Sequence, residues 1–496
     1  MPVLVVRGFV SVLGSKVGTL LLGLLISPLL VRLLGSSSYG DYAFVLSLLG
    51  IAMILVNAGI FDGMRKYIAE NREQSGWTEQ VFGFYFRIGT LLAMAAVFGC
   101  AIFSWFGLST QLLGAKFDVY LYLLGGLILS RQAYSLARAG LMGLGFEERS
   151  EPLKILQKIL FGVVGLSLAY VGYGVVGALI GQIVASLTVS AIAFVILSRH
   201  LNVRAVFSRV PMGFPKRELL SFNGLSVVLI LLTASLYHVD ILLLRPIAGS
   251  QATGYYRGAL MIAEFLWFVP NALQMVFLHS SSELWSKGET KRITALVSRA
   301  TRYNLSLTLL LALGLAALAS DFVPLYFGSE FEASVLPLLL LLPGALGFAL
   351  ARPIFAVGQG KGELRILIAA TGTAALMNLV MNLLLIPRFG MAGAAVATST
   401  SYGSMILFHI WAARRIGFDP IDDLRLTRIT AVATLSAPII FGTASLLDSS
   451  IVSLLVVPPA GFVVYTVLAI KFGVVSLSEF PKVRERLPVY VEQAIS

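Results

Sequence analysis

The chain is 496 residues long, 57% hydrophobic and only 12% charged, with a net charge of +12 and a mean hydropathy of +0.88. Soluble domains carry about 25% charged residues. Half that density over this length excludes a soluble enzyme and implies an all-α polytopic membrane protein. The positive balance does not imply nucleic acid, because the basic residues fall almost wholly in loops of one side, where Lys and Arg set topology and meet anionic lipid.

A membrane helix needs about 20 apolar residues, and the sequence holds about fourteen such runs. The first, 8–31, is preceded only by Arg7 and reads as a retained span. RLLGSSSYG (32–40) is a short outer turn before the second span, 41–61. Residues 62–80 are charged and amphipathic and are expected on the cytoplasmic surface. The third and fourth spans, 81–106 and 119–144, flank the outer loop GLSTQLLGAKFD. GFEERSEPLK is an inner loop before the fifth span, 155–171, and GYG is a tight turn before the sixth, which ends near 197. The basic segment 198–219, with Arg199, Arg204, Arg209, Lys216 and Arg217, then holds the inner side.

The pattern restarts with spans at 222–244, 254–278, 295–319, 335–357, 366–386 and 392–413. DFVPLYFGSEFEAS is an acidic outer loop between the ninth and tenth. Two further spans, 429–447 and 451–472, precede an inner tail with Lys482, Arg484 and Arg486. Outer loops hold Arg32, Lys116, Arg245 and Arg388 out of 37 basic residues. That asymmetry predicts an even number of spans in the cell membrane with both termini cytoplasmic.

The chain repeats itself. Arg32-Leu-Leu-Gly35 with Tyr39-Gly40 recurs as Arg245-Pro-Ile-Ala-Gly249 with Gly254-Tyr255. Gly143-Leu-Gly145 and Glu148 recur as Gly358-Gln-Gly360 and Glu363. Gly172-Tyr-Gly174-Val-Val-Gly177-Ala178 recurs as Arg388-Phe-Gly390-Met-Ala-Gly393-Ala394. The offsets are 213 to 216 residues, in the same order each time. The expected lobes are 1–210 (spans one to six) and 211–425 (spans seven to twelve), with 426–496 adding the last two spans and the tail. An even number of spans per repeat keeps the two halves parallel, as in transporters whose halves rock about a site between them.

There is no P-loop, no H-E-x-x-H and no metal-spaced His or Cys group, and Cys100 stands alone. No soluble catalytic domain is left over. No cofactor or metal is expected, and the chain reads as a transporter, not an enzyme. Ionisable groups inside spans are costly and usually face a cavity. The substrate-cavity candidates are Lys16 in the first span, Arg131 in the fourth, His238 and Asp240 near the outer end of the seventh, and Arg257 and Glu264 in the eighth. Basic groups in a wet cavity suit a phosphate or pyrophosphate, and Glu264 either balances that charge or carries a proton. Plainer readings compete. Arg87, Arg138 and Arg257 can snorkel to the interface, and Asp240 can pair with Arg245. Asn378 and Asn382 suit interhelical hydrogen bonds, and Gly14 and Gly18 around Lys16 suit close helix contact.

Several stretches resemble the polysaccharide transporter family, which includes O-antigen flippases, within the multidrug/oligosaccharidyl-lipid/polysaccharide (MOP) flippase superfamily. They are Arg32-Leu-Leu-Gly35 with Tyr39-Gly40, Gly59-Ile-Phe-Asp62-Gly63 leading to Arg65-Lys66-Tyr67-Ile68-Ala69-Glu70, Asp240-Ile-Leu-Leu-Leu, Gly254-Tyr255-Tyr256, and Pro387-Arg388-Phe389-Gly390-Met-Ala-Gly393-Ala394-Ala395. The resemblance implies a V-shaped architecture like that of the multidrug exporters, two parallel six-helix repeats and two C-terminal helices. It also implies flipping of a saccharide linked to undecaprenyl or dolichyl (pyro)phosphate from the cytoplasmic to the outer leaflet, for surface polysaccharide or protein glycosylation. The partners would then be membrane lipid and glycosyltransferases or a saccharide polymerase or ligase. In that family the first, second, seventh and eighth spans line the cavity, where Lys16 and Glu264 fall. The alternative within the superfamily is a cation-coupled multidrug or metabolite exporter. Such exporters often carry a carboxylate in the first span, and no Asp or Glu occurs before Asp41 here.

Overall fold

The computed structural model describes residues 2–70, 72, 75–207, 211–222, 224–476 and 479. Arg209, Lys482, Arg484 and Arg486 lie outside the described residues. Among the described residues the regular structure is helical, with no strand. Helices satisfy their own backbone groups, which lipid cannot do for them. Nine stretches of the described residues are long and apolar enough to cross a membrane. The chain divides into two compact units, Met1–Gly254 and Tyr255–Ser496.

The first unit holds α1 (Pro2–Asn57), α2 (Ile60–Ala69), α3 (Trp77–Trp105), α4 (Leu108–Leu113), α5 (Lys116–Gly143), α6 (Glu147–Ser150), α7 (Pro152–Leu160), α8 (Leu166–Leu168), α9 (Gly174–Ser198), α10 (Lys216–Ser221) and most of α11 (Gly224–Ala263). The second holds the end of α11, then α12 (Phe268–Ser286), α13 (Thr290–Phe327), α14 (Val335–Lys361), α15 (Leu364–Ile416), α16 (Leu426–Ser445) and α17 (Ser450–Lys471). The amphipathic segment expected after the second span is α2, which buries Ile60, Gly63, Met64, Tyr67 and Ile68 along one face.

The internal repeat is written into the backbone. Gly35 breaks α1 with φ 68° and ψ 170°, and Gly249 breaks α11 with φ 88° and ψ 173°. Gly114 ends α4 at φ 101°, ψ 159°, and Gly328 ends α13 at φ 104°, ψ 158°. Gly174 has φ 51°, ψ −128°, and Gly390, inside α15, has φ 55°, ψ −131°. A Cβ disfavours all of these conformations, so glycine is kept where the chain must turn. The expected polar turn over 32–40 is in fact helix on both sides of Gly35, because one left-handed residue is enough to redirect the chain.

Two other expected boundaries also move. The fifth span begins at Pro152, since proline at the first helical position lacks only an N–H that would have no partner there. The acidic outer loop is shorter than expected, because α13 continues through Asp321 to Phe327.

One contact joins the two repeated motifs inside the first unit. A Cβ on Gly40 would run into the Ser250 carbonyl oxygen, and one on Gly254 into the Ser36 carbonyl oxygen. Ser36 and Ser250, like Gly40 and Gly254, are 214 residues apart. The contact is therefore reciprocal. Beside it, Asp41 accepts from Arg245 Nε at 2.5 Å and from Ser250 Oγ at 2.7 Å. Arg245 thus pairs with Asp41 and not with Asp240. Five residues along a helix place Asp240 about 140° round from Arg245. Asp240 is fully buried, and its carboxylate accepts the Ile241 N–H at 2.8 Å.

Candidate functional site

The first unit gathers basic side chains from three elements. On α1, Gly18 lets the helix lie close to α7, since an added Cβ would stand 3.2 Å from Ile155 Cδ1. Gly14 makes no such contact and has open space around it. A Cβ on Gly23 would approach to 4.0 Å from Lys158 Nζ, so α1 passes beside that ammonium. Lys16, between Gly14 and Gly18, is exposed and lies within electrostatic range of Lys154. On α7, Lys154 and Lys158 follow Glu151 by three and seven residues, a spacing that shares one helix face. On α5, Arg131 and Arg138 are likewise seven residues apart. Arg131 lies within electrostatic range of Lys158.

Glu151 is 1% exposed and uses both carboxylate oxygens. Arg138 Nη2 donates to Oε1 at 2.6 Å, and Lys154 Nζ donates to Oε2 at 2.9 Å. Ser15 Oγ donates to the Glu151 carbonyl at 3.1 Å, tying this corner to α1. Arg138 also sits over the Phe61 ring, 4.9 Å from its centroid. Arg138 is thus an ion-paired residue, not a snorkelling one.

Arg131 is held differently. Its Nη2 donates to Gln182 Oε1 at 2.5 Å, and Gln182 Nε2 donates to the buried Tyr42 hydroxyl at 2.8 Å. This neutral relay fixes the guanidinium without cancelling its charge. No carboxylate pairs with Arg131 or Lys158 among the described residues; Lys158 lies over the Phe161 ring, 5.8 Å from its centroid. Asp62 on α2 is within electrostatic range of Arg138. The cluster therefore gathers Arg131, Arg138, Lys154 and Lys158, with Lys16 in range of Lys154, around the bonded carboxylate of Glu151. Like charges close together repel, most strongly away from bulk water. The arrangement is suited to receiving an anion.

The other candidates lie elsewhere. His238 packs against Gly50 of α1 so closely that no Cβ would fit there. Neither His238 nor Asp240 shares a described contact with the cluster. In the second unit Arg257 Nη1 pairs with Glu264 Oε1 at 3.0 Å, both side chains being 26% exposed. Seven residues put them on one face, and Glu264 opens a 3-10 turn, Glu264–Trp267. Arg257 is thus ion-paired with Glu264. Asn378 donates to Thr398 at 3.3 Å, joining the two segments of α15 across the Gly390 break, and Tyr256 reaches the same hydroxyl at 3.1 Å.

Sequence reasoning missed Glu151, Lys154 and Lys158. The signal was present: Glu151, Lys154 and Lys158 fall at helical spacing around Pro152, a helix-start residue. Reading 145–154 as a loop hid Glu151 and Lys154, while Lys158, inside the expected fifth span, was passed over.

The model of the family described as polysaccharide biosynthesis protein matches residues 5–277, more than half of the chain. The chain belongs to this family. It is 23% identical over 465 residues to Agl15 of Haloferax volcanii, described as a probable low-salt glycan biosynthesis flippase; the match covers 92% of this chain and 94% of that relative. Among solved structures it is similar to the lipid II flippase MurJ in an inward closed conformation, with a TM-score of 0.74 at 15% identity, covering 95% of this chain and 98% of that one. It is also similar to an inward-facing multidrug resistance MATE family transporter of the MOP superfamily, with a TM-score of 0.67 at 16% identity, covering 80% and 94%. The chain thus has the fold shared by MurJ and the MATE transporters.

Proposed function

We propose that the protein is a flippase that moves a saccharide linked to a polyprenyl phosphate or pyrophosphate from the cytoplasmic to the outer leaflet by alternating access, for surface polysaccharide or protein glycosylation. The observation that carries this reading is the cluster of Lys16, Arg131, Arg138, Lys154 and Lys158, in which Glu151 bonds Arg138 and Lys154 while Arg131 and Lys158 have no carboxylate partner among the described residues. Phosphate oxygens are matched by guanidinium and ammonium donors. In this reading the cluster holds the phosphate and the lipid tail stays in the bilayer. The glycan flippase description of its full-length relative supports the same class of cargo. A cation-coupled exporter is the weaker reading, because a net-positive cluster repels its coupling ion.

The test is a deletion strain of the source organism, complemented with wild-type protein or with the Lys16→Ala, Lys158→Met or Glu264→Gln variants. Lipid-linked saccharide should accumulate while finished surface glycan disappears, and Lys158→Met should fail to restore it at normal expression. Normal surface glycan with altered drug or ion sensitivity would instead favour the exporter.

A further inference from the structure

Four of the cluster's five cations fall into two pairs of different charge state. In one, Arg138 and Lys154 are already occupied by the two oxygens of Glu151, at 2.6 Å and 2.9 Å. In the other, Arg131 and Lys158 stand close enough to interact and have no carboxylate partner among the described residues. Glu151 is buried and is fixed through its backbone to Ser15 of α1. Its carboxylate therefore sits among these cations as a built-in anion, in the chemical role that a phosphate oxygen pair would take.

We infer that Glu151 is a resident counter-ion which sets the preference of the site between one phosphate and two. The inference rests on the anion-binding reading above and deepens it. A monophosphate is met by Arg131 and Lys158 alone, and Glu151 stays where it is. The second phosphate of a pyrophosphate needs donors as well, and Arg138 and Lys154 are the cluster's donors already held by Glu151. It must displace the Glu151 carboxylate from them. Glu151 thus weakens pyrophosphate binding while leaving monophosphate binding nearly untouched, and the displaced carboxylate helps to expel the second phosphate afterwards. The residue acts on selectivity through the donors it occupies.

The test uses the full chain in detergent, with farnesyl phosphate and farnesyl pyrophosphate as probes. Dissociation constants are measured for the wild type, Glu151→Gln and Lys158→Met. Glu151→Gln should tighten pyrophosphate binding about tenfold, the worth of roughly one charge-assisted hydrogen bond, and change monophosphate binding by less than about threefold. Lys158→Met should weaken both. Equal changes for the two probes, or weaker pyrophosphate binding in a Glu151→Gln protein that melts like wild type, would overturn the inference. If Glu151→Gln does not fold, Glu151→Asp takes its place. The shorter carboxylate cannot span both donors, so pyrophosphate selectivity should rise, and unchanged selectivity overturns the proposal. A wild type that binds neither probe, with Lys158→Met no different, rejects the anion-binding reading itself and the inference with it.

Discussion

Arg131 keeps its charge inside a span because a neutral relay holds it. Gln182 accepts from its guanidinium and donates to Tyr42, so each of the three groups is hydrogen-bonded. Gln182→Leu leaves the guanidinium and the Tyr42 hydroxyl without these partners, which should cost about 1–3 kcal/mol. Thermal unfolding in detergent should show a clear drop, with Tyr42→Phe less affected because Arg131 keeps Gln182. Equal stability of Gln182→Leu and wild type would mean that the relay does not hold the arginine. The Arg257–Glu264 pair gives a second expectation. Each side chain is partly exposed, so the coupling should be about 1 kcal/mol or less. In a double-mutant cycle, Arg257→Gln and Glu264→Gln should each destabilise, and the double variant should lose less than their sum. Strict additivity would show no coupling. Costly residues such as Lys16, Arg131 and Glu264 were legible in the sequence, because a charge within an apolar run stands out. Lys154 and Glu151 were not, since charges next to a proline in a short polar stretch look like any loop.

At the scale of elements, glycine decides how closely helices approach. The Gly40–Ser250 and Gly254–Ser36 contacts leave no room for a methyl group against a backbone carbonyl, which cannot move aside as a side chain can. Gly40→Ala and Gly254→Ala should therefore each reduce folded yield and melting temperature sharply, the overpacking cost being about 1–3 kcal/mol or more. Gly14→Ala is the control. It sits in a helix with open space around it, so it should be neutral or stabilising by up to about 1 kcal/mol. Size-exclusion profiles and melting curves of the three variants check both halves of the expectation. A tolerated Gly40→Ala would mean that the two motifs are not in close contact. The sequence showed that these motifs recur but not that they touch. Offsets reveal a duplication, whereas a contact between residues 214 positions apart depends on packing that no local pattern records. The Gly114–Gly328 equivalence was also invisible, since the two glycines share a backbone conformation but few neighbours.

At the scale of the whole molecule, composition was enough to read a helical membrane protein, because half the usual charge over this length leaves no other class. It did not show how the chain beyond residue 425 is attached. In the second unit α13 carries contacts to that region along its length. Asp321 accepts from Ser450 at 2.7 Å, and Ser306 donates to Tyr465 at 3.4 Å. At the other end Arg302, with no exposed side-chain surface, pairs with both Asp423 and Glu479, while Arg425 bonds the same two carboxylates at 2.9 and 3.3 Å. Burying an arginine is tolerable only while its partners are present, and removing one partner of a buried pair costs about 3–5 kcal/mol. Arg302 is therefore a charge committed to chain that arrives 121 and 177 residues later. Truncation after residue 425 should give aggregated or unfolded protein, not a stable twelve-span core. Arg302→Met combined with that truncation should recover part of the folded yield, because the buried guanidinium would otherwise keep Asp423 but lose Glu479. Glu479 adds a pH signature. Burial pushes its carboxyl up, but the Tyr303 and Arg302 hydrogen bonds outweigh this and hold it below the usual value. A depressed folded-state value stabilises above the unfolded value near 4.3 and is lost as pH falls through the folded one. Melting temperature should therefore fall as pH is lowered below about 4, and Glu479→Gln should start lower and show less of that fall. A truncated chain that melts like the full one would show that the last two helices are dispensable to the fold.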